Sequence, residues 1–93
     1  MDYLHSEFDL EAGDIMIVEL EGKANVLLMD GSNFTDYKNG RPYHYFGGFA
    51  EKTPVRLPVP RNGHWHLVVD LGGYPGRVKA GVRVQKSEQG ATV

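Results

Sequence analysis

Three runs of alternating residues decide the fold: Val55-Arg56-Leu57-Pro58-Val59, then His64-Trp65-His66-Leu67-Val68-Val69-Asp70-Leu71, then Arg77-Val78-Lys79-Ala80-Gly81-Val82-Arg83-Val84. Apolar residues recur at every second position in each run, which is the period of a β-strand with one buried face. Residues 61–63 (Arg-Asn-Gly) and 72–76 (Gly-Gly-Tyr-Pro-Gly) predict turns between them. We therefore expect the second half of the chain to be a set of three strands.

The first half predicts further strands and one interruption. Residues 3–9 are typical of a first strand. Segments 15–20 and 25–30 have apolar residues at both odd and even positions, which predicts strands that are covered on both faces. Residues 21–24 fit a hairpin loop between those two strands. In residues 31–48 the alternation fails, and the position of Ser32 fits a helix cap, with Asn39-Gly40 fitting a helix end.

Together these elements predict an all-β fold, a two-sheet β-sandwich of jelly-roll-like type. It would have six to eight short strands and one short helix near residues 32–39, where Phe34 and Tyr37 share a face. Pro54 and Pro58 predict that strand 53–60 lies at a sheet edge, because proline cannot donate to a ladder. We assign residues 1–85 to one domain and 86–93 to a polar C-terminal tail. The predicted core is Val18, Val26, Leu28, Val55, Leu57, Val59, Trp65, Leu67, Val69, Leu71, Val78, Val82 and Val84.

Composition restricts the functional classes. The 93 residues contain no cysteine, so disulfides, thiolate metal sites and a cysteine nucleophile are excluded. Lack of cysteine favours a reducing compartment, and we expect a cytoplasmic protein. The net charge is −2 and the pI about 6.0, so no nucleic-acid partner is expected. The longest apolar run is four residues and no signal peptide is visible, so no membrane association is expected either.

The sequence also resembles a bacterial family catalogued as domain of unknown function 1883. The resemblance is carried by residues 25–34 (NVLLMDGSNF), 37–41 (YKNGR), 43–48 (YHYFGG), 54–57 (PVRL), 63–71 (GHWHLVVDL) and 82–84 (VRV). It covers roughly residues 1 to 85 and implies a compact β-rich domain, found alone or appended to modules such as TIR domains. It implies no established activity, and no functional residue is transferred from it.

His64 and His66 are the strongest candidates for metal chemistry. Residues two apart on a strand face the same way, so both imidazoles can project from one sheet face. Zinc needs three or four ligands, and the third would have to be His5 or His44 from another strand. The favoured interpretation is that both histidines are exposed partners of a neighbouring strand. If 65–71 and 76–84 form a direct hairpin, Arg83 lies beside one of these histidines and Asp70 beside Arg77 or Lys79.

Segment 37–46 is the other candidate site, because aromatic residues and an arginine are concentrated there. Its candidate ligand- or partner-binding residues are Tyr37, Arg41, Tyr43, His44, Tyr45 and Phe46, to which His64 and His66 are added. Aromatic side chains with polar tips are typical of pockets and interface hot spots. The favoured alternative is that the segment covers Ile15, Ile17, Leu27 or Met29, and the two roles are compatible.

No catalytic signature is found, and we expect neither a catalytic residue, a metal nor a cofactor. The leading hypothesis is a non-enzymatic binding or sensing module whose partner is an unknown small molecule or protein. One alternative is a structural or homo-oligomerising domain that associates through edge strand 53–60. A metal-dependent enzyme using His64 and His66 is the last alternative.

Overall fold

The computed structural model describes residues 3–87, which form seven strands and one helix. The elements are β1 (Tyr3–Leu10), β2 (Ile15–Glu21), β3 (Ala24–Asp30), α1 (Gly31–Lys38), β4 (Phe46–Ala50), β5 (Val55–Pro58), β6 (Gly63–Asp70) and β7 (Lys79–Gln85). Strands β1-β6-β3-β4 form sheet A and β5-β2-β7 form sheet B, in those orders, and all pairs are antiparallel. The predicted two-sheet sandwich with one short helix is confirmed.

The chain changes sheet at every strand-to-strand connection except the one that contains α1. The three strands predicted for the second half are present as β5, β6 and β7, but the conditional hairpin between the last two does not form, because β6 lies in sheet A while β5 and β7 lie in sheet B. Residues 21–24 likewise join strands of different sheets and form no hairpin. Since alternation reveals a buried face but not a neighbour, it could not distinguish a hairpin from a crossing between sheets.

The main core lies between the inner faces of the two sheets. Eight predicted core residues are buried: Val18, Val26, Leu28, Leu57, Val59, Trp65, Leu67 and Val69. Val55, Val82 and Val84 pack against the core while partly exposed, whereas Leu71 and Val78 are half-buried and lie outside the core cluster. Each fully buried large apolar side chain contributes about 1.5–3 kcal/mol before entropy is counted. The wholly buried Met16 is a core residue that the prediction omitted.

A second, smaller core covers the outer face of sheet A, the face turned away from sheet B. Phe34 and Tyr37 of α1 pack there, as predicted from their shared helical face, against a sheet surface of Leu27, Met29 and Val68. This cover explains why β6 is buried on both faces between Trp65 and Asp70, where one buried face was expected. The expectation that segment 37–46 covers Leu27 or Met29 also holds, since Tyr43 packs against this cluster.

Helix α1 begins one residue before the predicted range of 32–39. Its N-cap is Asp30 and not Ser32, because the Asp30 carboxylate accepts the backbone N–H of Asn33 at 3.0 Å. At the other end Gly40 adopts a left-handed φ of 71°, as the Asn39-Gly40 pair predicted. The Asp30 carboxylate also accepts a bond from Arg61, so the cap links α1 to the turn between β5 and β6.

Buried Asp14 joins the end of β7 to the turn before β2. Its carboxylate accepts the Lys86 ammonium at 2.6 Å, the Ser87 N–H at 2.7 Å and the Glu11 N–H at 2.9 Å. The Lys86 bond, followed by those two backbone bonds, lowers the pKa of Asp14 to about 2. The assignment of 86–93 to a tail stays a prediction, and residues 88–93 lie outside the described residues.

Within residues 3–87, the single short helix is neither long nor apolar enough to cross a membrane.

Candidate functional site

The edge strands are β1 and β4 in sheet A, and β5 and β7 in sheet B. Strand β4 differs in sequence from the other three edge strands. Edge strands are usually protected by charges or proline against pairing with another chain. Strand β1 carries Glu7 and Asp9, β7 carries Lys79 and Arg83, and β5 carries an arginine and a proline. Strand β4 reads Phe-Gly-Gly-Phe-Ala and has neither a charge nor a proline. It is therefore the unprotected edge of the sandwich.

The two phenylalanines of β4 project from opposite faces of sheet A. Phe46 pairs in register with Leu28 of the inner core, and Phe49 pairs with Asn25, whose amide bonds Asp70 on the outer face. Paired residues of a ladder point to the same side, so Phe46 and Phe49 flank the free edge from both sides. Both are exposed, at 46% for Phe46 and 63% for Phe49. We call Tyr45, Phe46 and Phe49 the aromatic edge.

Gly47 fixes the close approach of β4 to β3. Its φ is 112°, and a Cβ at this position would overlap the carbonyl oxygen of Val26. A Cβ on the neighbouring Gly48, by contrast, would have no atom within 4 Å. Glycine within a strand marks a place where another backbone comes close. For Gly47 that backbone is β3, whereas the space beside Gly48 is open.

A groove lies on each side of the aromatic edge. One, of about 420 Å³, is lined by Tyr45 and Phe46 together with Met29, Asp30, Asn33, His44, Arg61 and Trp65. The other is more open, measures about 630 Å³, and runs past Phe49 to Val55. The charged groups of the first groove already pair with each other, since Arg61 donates to Asp30 at 2.8 Å and lies 4.8 Å above the Trp65 ring. In the first groove the charged pair is therefore already satisfied, whereas the second groove is also lined by the charged residues Glu51 and Lys52.

The structure distributes the predicted residues of segment 37–46 over two places. Tyr37 is buried and donates its hydroxyl to Asp70 at 2.6 Å, and burial together with this bond raises its pKa. Tyr43 meets the Tyr37 ring edge-on, with 5.2 Å between ring centroids, and burial raises its pKa as well. Arg41 is turned back to Asp36 of α1 at 2.9 Å. These three residues anchor the connection between α1 and β4.

The remaining residues of that segment do reach the groove. His44, Tyr45 and Phe46 all line it, and the His44 N–H donates to the Asn33 side chain at 2.8 Å. Tyr45 is 47% exposed and Phe46 contacts Trp65 edge-to-face, at 6.1 Å between centroids. Half of the predicted segment is thus structural, and the other half borders an accessible surface.

His64 and His66 lie elsewhere, on the outer face of sheet A. His66 is only 8% exposed, so the expectation that both histidines are exposed is wrong for it, because α1 covers this part of β6. The predicted neighbour Arg83 is not beside them, since β7 belongs to sheet B. Instead β1 lies beside β6, with Glu7 opposite His66 and Asp9 opposite His64. His66 also shares a 2.8 Å hydrogen bond between its Nδ1 and the Nε2 of His5.

Asp70 is not a cross-strand neighbour of Arg77 or Lys79, because β6 and β7 lie in different sheets. The buried carboxylate bonds Tyr37, the Asn25 amide at 2.8 Å and the Gly72 N–H at 2.9 Å. Asp70 therefore forms no ion pair with Arg77 or Lys79 and instead accepts hydrogen bonds from three uncharged donors. This network holds α1, β3 and β6 together on the outer face.

Sequence reasoning missed three residues of these surfaces, Glu7, Phe49 and Arg61, and it named His5 only as a possible third ligand beside His64 and His66. His5 and Glu7 carried a usable signal, because they alternate on a predicted strand in the same way as His64 and His66. Phe49 was separated from the aromatic segment by two glycines. Arg61 reaches Asp30 over 31 positions, and nothing in its local sequence indicates that contact.

The fold and the unprotected β4 define a small β-sandwich domain with an accessible aromatic strand at one edge. More specifically, the family model described as "Domain of unknown function (DUF1883)" matches residues 1–88, and the chain belongs to that family. No curated protein and no solved structure gives a significant match. Membership confirms the resemblance noted in the sequence and assigns no activity.

Proposed function

We propose that this domain is a non-enzymatic protein-binding module, which takes up an extended segment of a partner protein along β4. The observation that carries the proposal is the composition of β4, the one edge strand in residues 3–87 without a charge or a proline. A row of unpaired backbone groups on such a strand is a template for adding another strand. Recognition by strand addition gains affinity from main-chain hydrogen bonds and specificity from side-chain pockets.

The aromatic edge supports this mode of binding. An added strand would run between Phe46 on the inner side and Phe49 on the outer side, so that its alternating side chains meet one ring on each face. The grooves of about 420 and 630 Å³ offer room for those side chains. Large exposed aromatic side chains are frequent anchors of interfaces. We therefore expect a partner segment that is uncharged and apolar at positions facing Phe46 and Phe49.

A protein partner fits this surface better than a small molecule does. The charged groups of the closer groove satisfy each other, because Asp30 accepts from Arg61 and also from the Asn33 amide. A small ligand would have to break these bonds to gain its own. An extended chain needs none of them, since it would use the free backbone of β4.

Homo-oligomerisation through strand 53–60 is the less well supported function. Strand β5 does lie at an edge of sheet B, as predicted. Arg56 and Pro58 are both exposed on this strand, and both residue types protect an edge from pairing. Self-association would more readily use β4, and a crosslinking experiment distinguishes it from binding of a second protein.

The proposal can be tested by photo-crosslinking in cells that produce the protein. Benzoylphenylalanine replaces Phe49 in one variant and Tyr74, an isolated aromatic residue that is 79% exposed, in a matched control. Circular dichroism verifies that both variants fold. We expect irradiation to produce one discrete adduct from position 49 and no adduct of the same mass from position 74.

Mass spectrometry then identifies the adduct and the crosslinked segment. An extended segment of a second protein supports the proposal. An adduct of two copies of this chain would replace it by self-association, and identical adducts from positions 49 and 74, or none from position 49, would refute it.

A further inference from the structure

The pairing of β1 with β6 brings two histidines and a glutamate together on the outer face of sheet A. His5 Nε2 lies 2.8 Å from His66 Nδ1, and Glu7 Oε1 lies 3.9 Å from the same His66 nitrogen. One ligand atom from each residue falls within 4.8 Å of the others. We call His5, Glu7 and His66 the histidine cluster. Its members come from strand positions 5, 7 and 66, so only the sheet register assembles it.

The imidazoles of the cluster are held in place by packing. Their rings are nearly coplanar, with an angle of 9°, and both lie against the Phe34 ring at centroid distances of 4.1 Å for His5 and 4.5 Å for His66. Phe34 therefore closes one side of the cluster. The Glu7 side chain, which is 52% exposed, leaves the opposite side accessible to solvent.

The separations are close to those of a zinc-class site, but the two imidazoles would also have to turn, because their nitrogens point at each other in the present hydrogen bond. Bonds of about 2.0–2.1 Å to zinc in tetrahedral geometry place two nitrogens about 3.3 Å apart, so the pair His5–His66 would have to widen by roughly 0.5 Å. The present 2.8 Å contact contains one hydrogen, which would move to the other nitrogen of its ring on metal binding. Two imidazoles and a carboxylate suit Zn²⁺ and its first-row neighbours, and they do not suit Mg²⁺ or Ca²⁺.

The charges around the cluster are mixed, with Glu7 and Asp9 as acidic groups and His64 and Lys38 as basic groups. His64 bonds Glu7 at 2.9 Å and Asp9 at 2.7 Å, and these two bonds raise the pKa of His64, Glu7 having the larger effect. His64 thereby orients Glu7 from outside, as the supporting groups of metal ligands do. His66 is buried against the Phe34 ring, and this burial lowers the pKa of His66. The charges that oppose a cation are Lys38, which lies 5.0 Å from the Phe34 ring centroid, and His64 when it is protonated.

We propose that His5, Glu7 and His66 bind one divalent transition-metal ion of the zinc class, with the fourth coordination position facing solvent. The site is separate from the aromatic edge, because it lies on β1 and β6 while β4 is at the far edge of sheet A. The outcome of a metal-binding test at this site therefore does not bear on the proposed protein-binding function. It also differs from the expected pairing of His64 with His66, since His5 and Glu7 replace His64 as ligands.

The test is calorimetric titration of the untagged protein with Zn²⁺, followed by visible absorption of the Co²⁺-loaded protein. We expect one ion per chain and the intense bands of tetrahedral Co²⁺. His5→Gln and His66→Gln should each weaken binding by more than about 100-fold, which exceeds the 10–100-fold typical of a supporting residue such as His64. His44→Gln is the matched control, since His44 lies on the groove beside β4, and its affinity should equal that of the wild type.

Two results would overturn the proposal. One is the absence of stoichiometric Zn²⁺ binding by the folded wild type. The other is equal affinity of His5→Gln and His44→Gln, which would mean that any bound metal sits elsewhere. His5 is the decisive position because it is exposed, so its replacement preserves the fold even where replacement of buried His66 does not.

Discussion

Strands β4 and β5 both lie at a sheet edge, but only β5 is protected against pairing. Strand β5 exposes Arg56 and Pro58, whereas β4 exposes Phe46 and Phe49 around two glycines. A charged or proline-bearing edge lowers the affinity for another strand, and an apolar edge raises it. This difference is the basis for the proposal that β4 is the edge that receives a partner strand.

The comparison also separates aromatic residues that build the fold from those that do not. Phe34 and Tyr37 are 6% exposed and contact several rings, while Phe46 and Phe49 are about half exposed or more. Residues of the first kind should control stability, and residues of the second kind should control binding. Three predictions test this division and one tests the buried carboxylate of Asp14, in order of decreasing effect on the free energy of unfolding.

Trp65→Ala should cause the largest loss of stability, about 3–5 kcal/mol, because a wholly buried indole leaves a cavity that the sheets cannot fill. It also removes the ring that supports Phe46 and Arg61. Urea unfolding followed by circular dichroism measures the change. Tyr74→Ala, an exposed aromatic truncation, should stay within about 0.5 kcal/mol. A similar result for the two variants would contradict the assigned core.

Tyr37→Phe should destabilise the protein by about 1.5–3 kcal/mol, since it deletes a buried hydrogen bond to the Asp70 carboxylate. The bond anchors the connection that leads from α1 to β4. The same unfolding assay measures the loss, with Tyr45→Phe as a matched control whose hydroxyl is on an exposed side chain. Equal stabilities would show that the outer-face network does not hold α1 in place.

Asp14→Asn should change the pH dependence of stability at the β5 end of sheet B, where the Asp14 carbonyl accepts the Val59 N–H. Folding lowers the Asp14 pKa from 3.8 to about 2, so the ionised carboxylate stabilises the fold above pH 3.8. That contribution is lost as the pH falls from 3.8 towards 2. Urea unfolding at several pH values should show the wild-type advantage shrinking over this window, whereas a constant advantage over Asp14→Asn would contradict the role of the carboxylate.

Phe49→Lys should have the smallest effect on stability, within about 0.5 kcal/mol, because the side chain is 63% exposed. The variant gives β4 the kind of charge that protects the other edges. Thermal unfolding measures the effect, with Phe34→Lys as the contrasting variant, which should unfold at a much lower temperature. A large loss in Phe49→Lys would mean that Phe49 belongs to the core.

The sequence could predict the strands but not their partners. Alternation identified the buried faces around Trp65 and Leu67, and two prolines correctly placed β5 at an edge, because these signals are local. Sheet membership depends on where each connection crosses, and residues 61–63 resemble a hairpin turn although they join two sheets. Turn chemistry alone therefore could not identify the neighbours of β6.

The candidate sites were predictable to a similar, partial extent. Tyr45 and Phe46 were found because aromatic density is visible in the sequence. The histidine cluster was found only in part: His5 was named as one possible partner of His66, but Glu7 was not, because these residues meet only through the β1–β6 register. The protection of an edge also becomes visible only when the strand order is known, which is why the sequence alone does not distinguish β4.

The most direct test of the central claim is the affinity of the partner segment identified by crosslinking for three folded variants, measured by calorimetry. We predict that Phe46→Ser with Phe49→Ser weakens binding by at least about 30-fold, the size of an interface hot spot, and that Tyr74→Ser does not change it. Arg56→Ser on β5 should also bind as the wild type does. Undiminished affinity of the Phe46, Phe49 double variant, or an equal loss in Arg56→Ser, would contradict β4 as the binding edge.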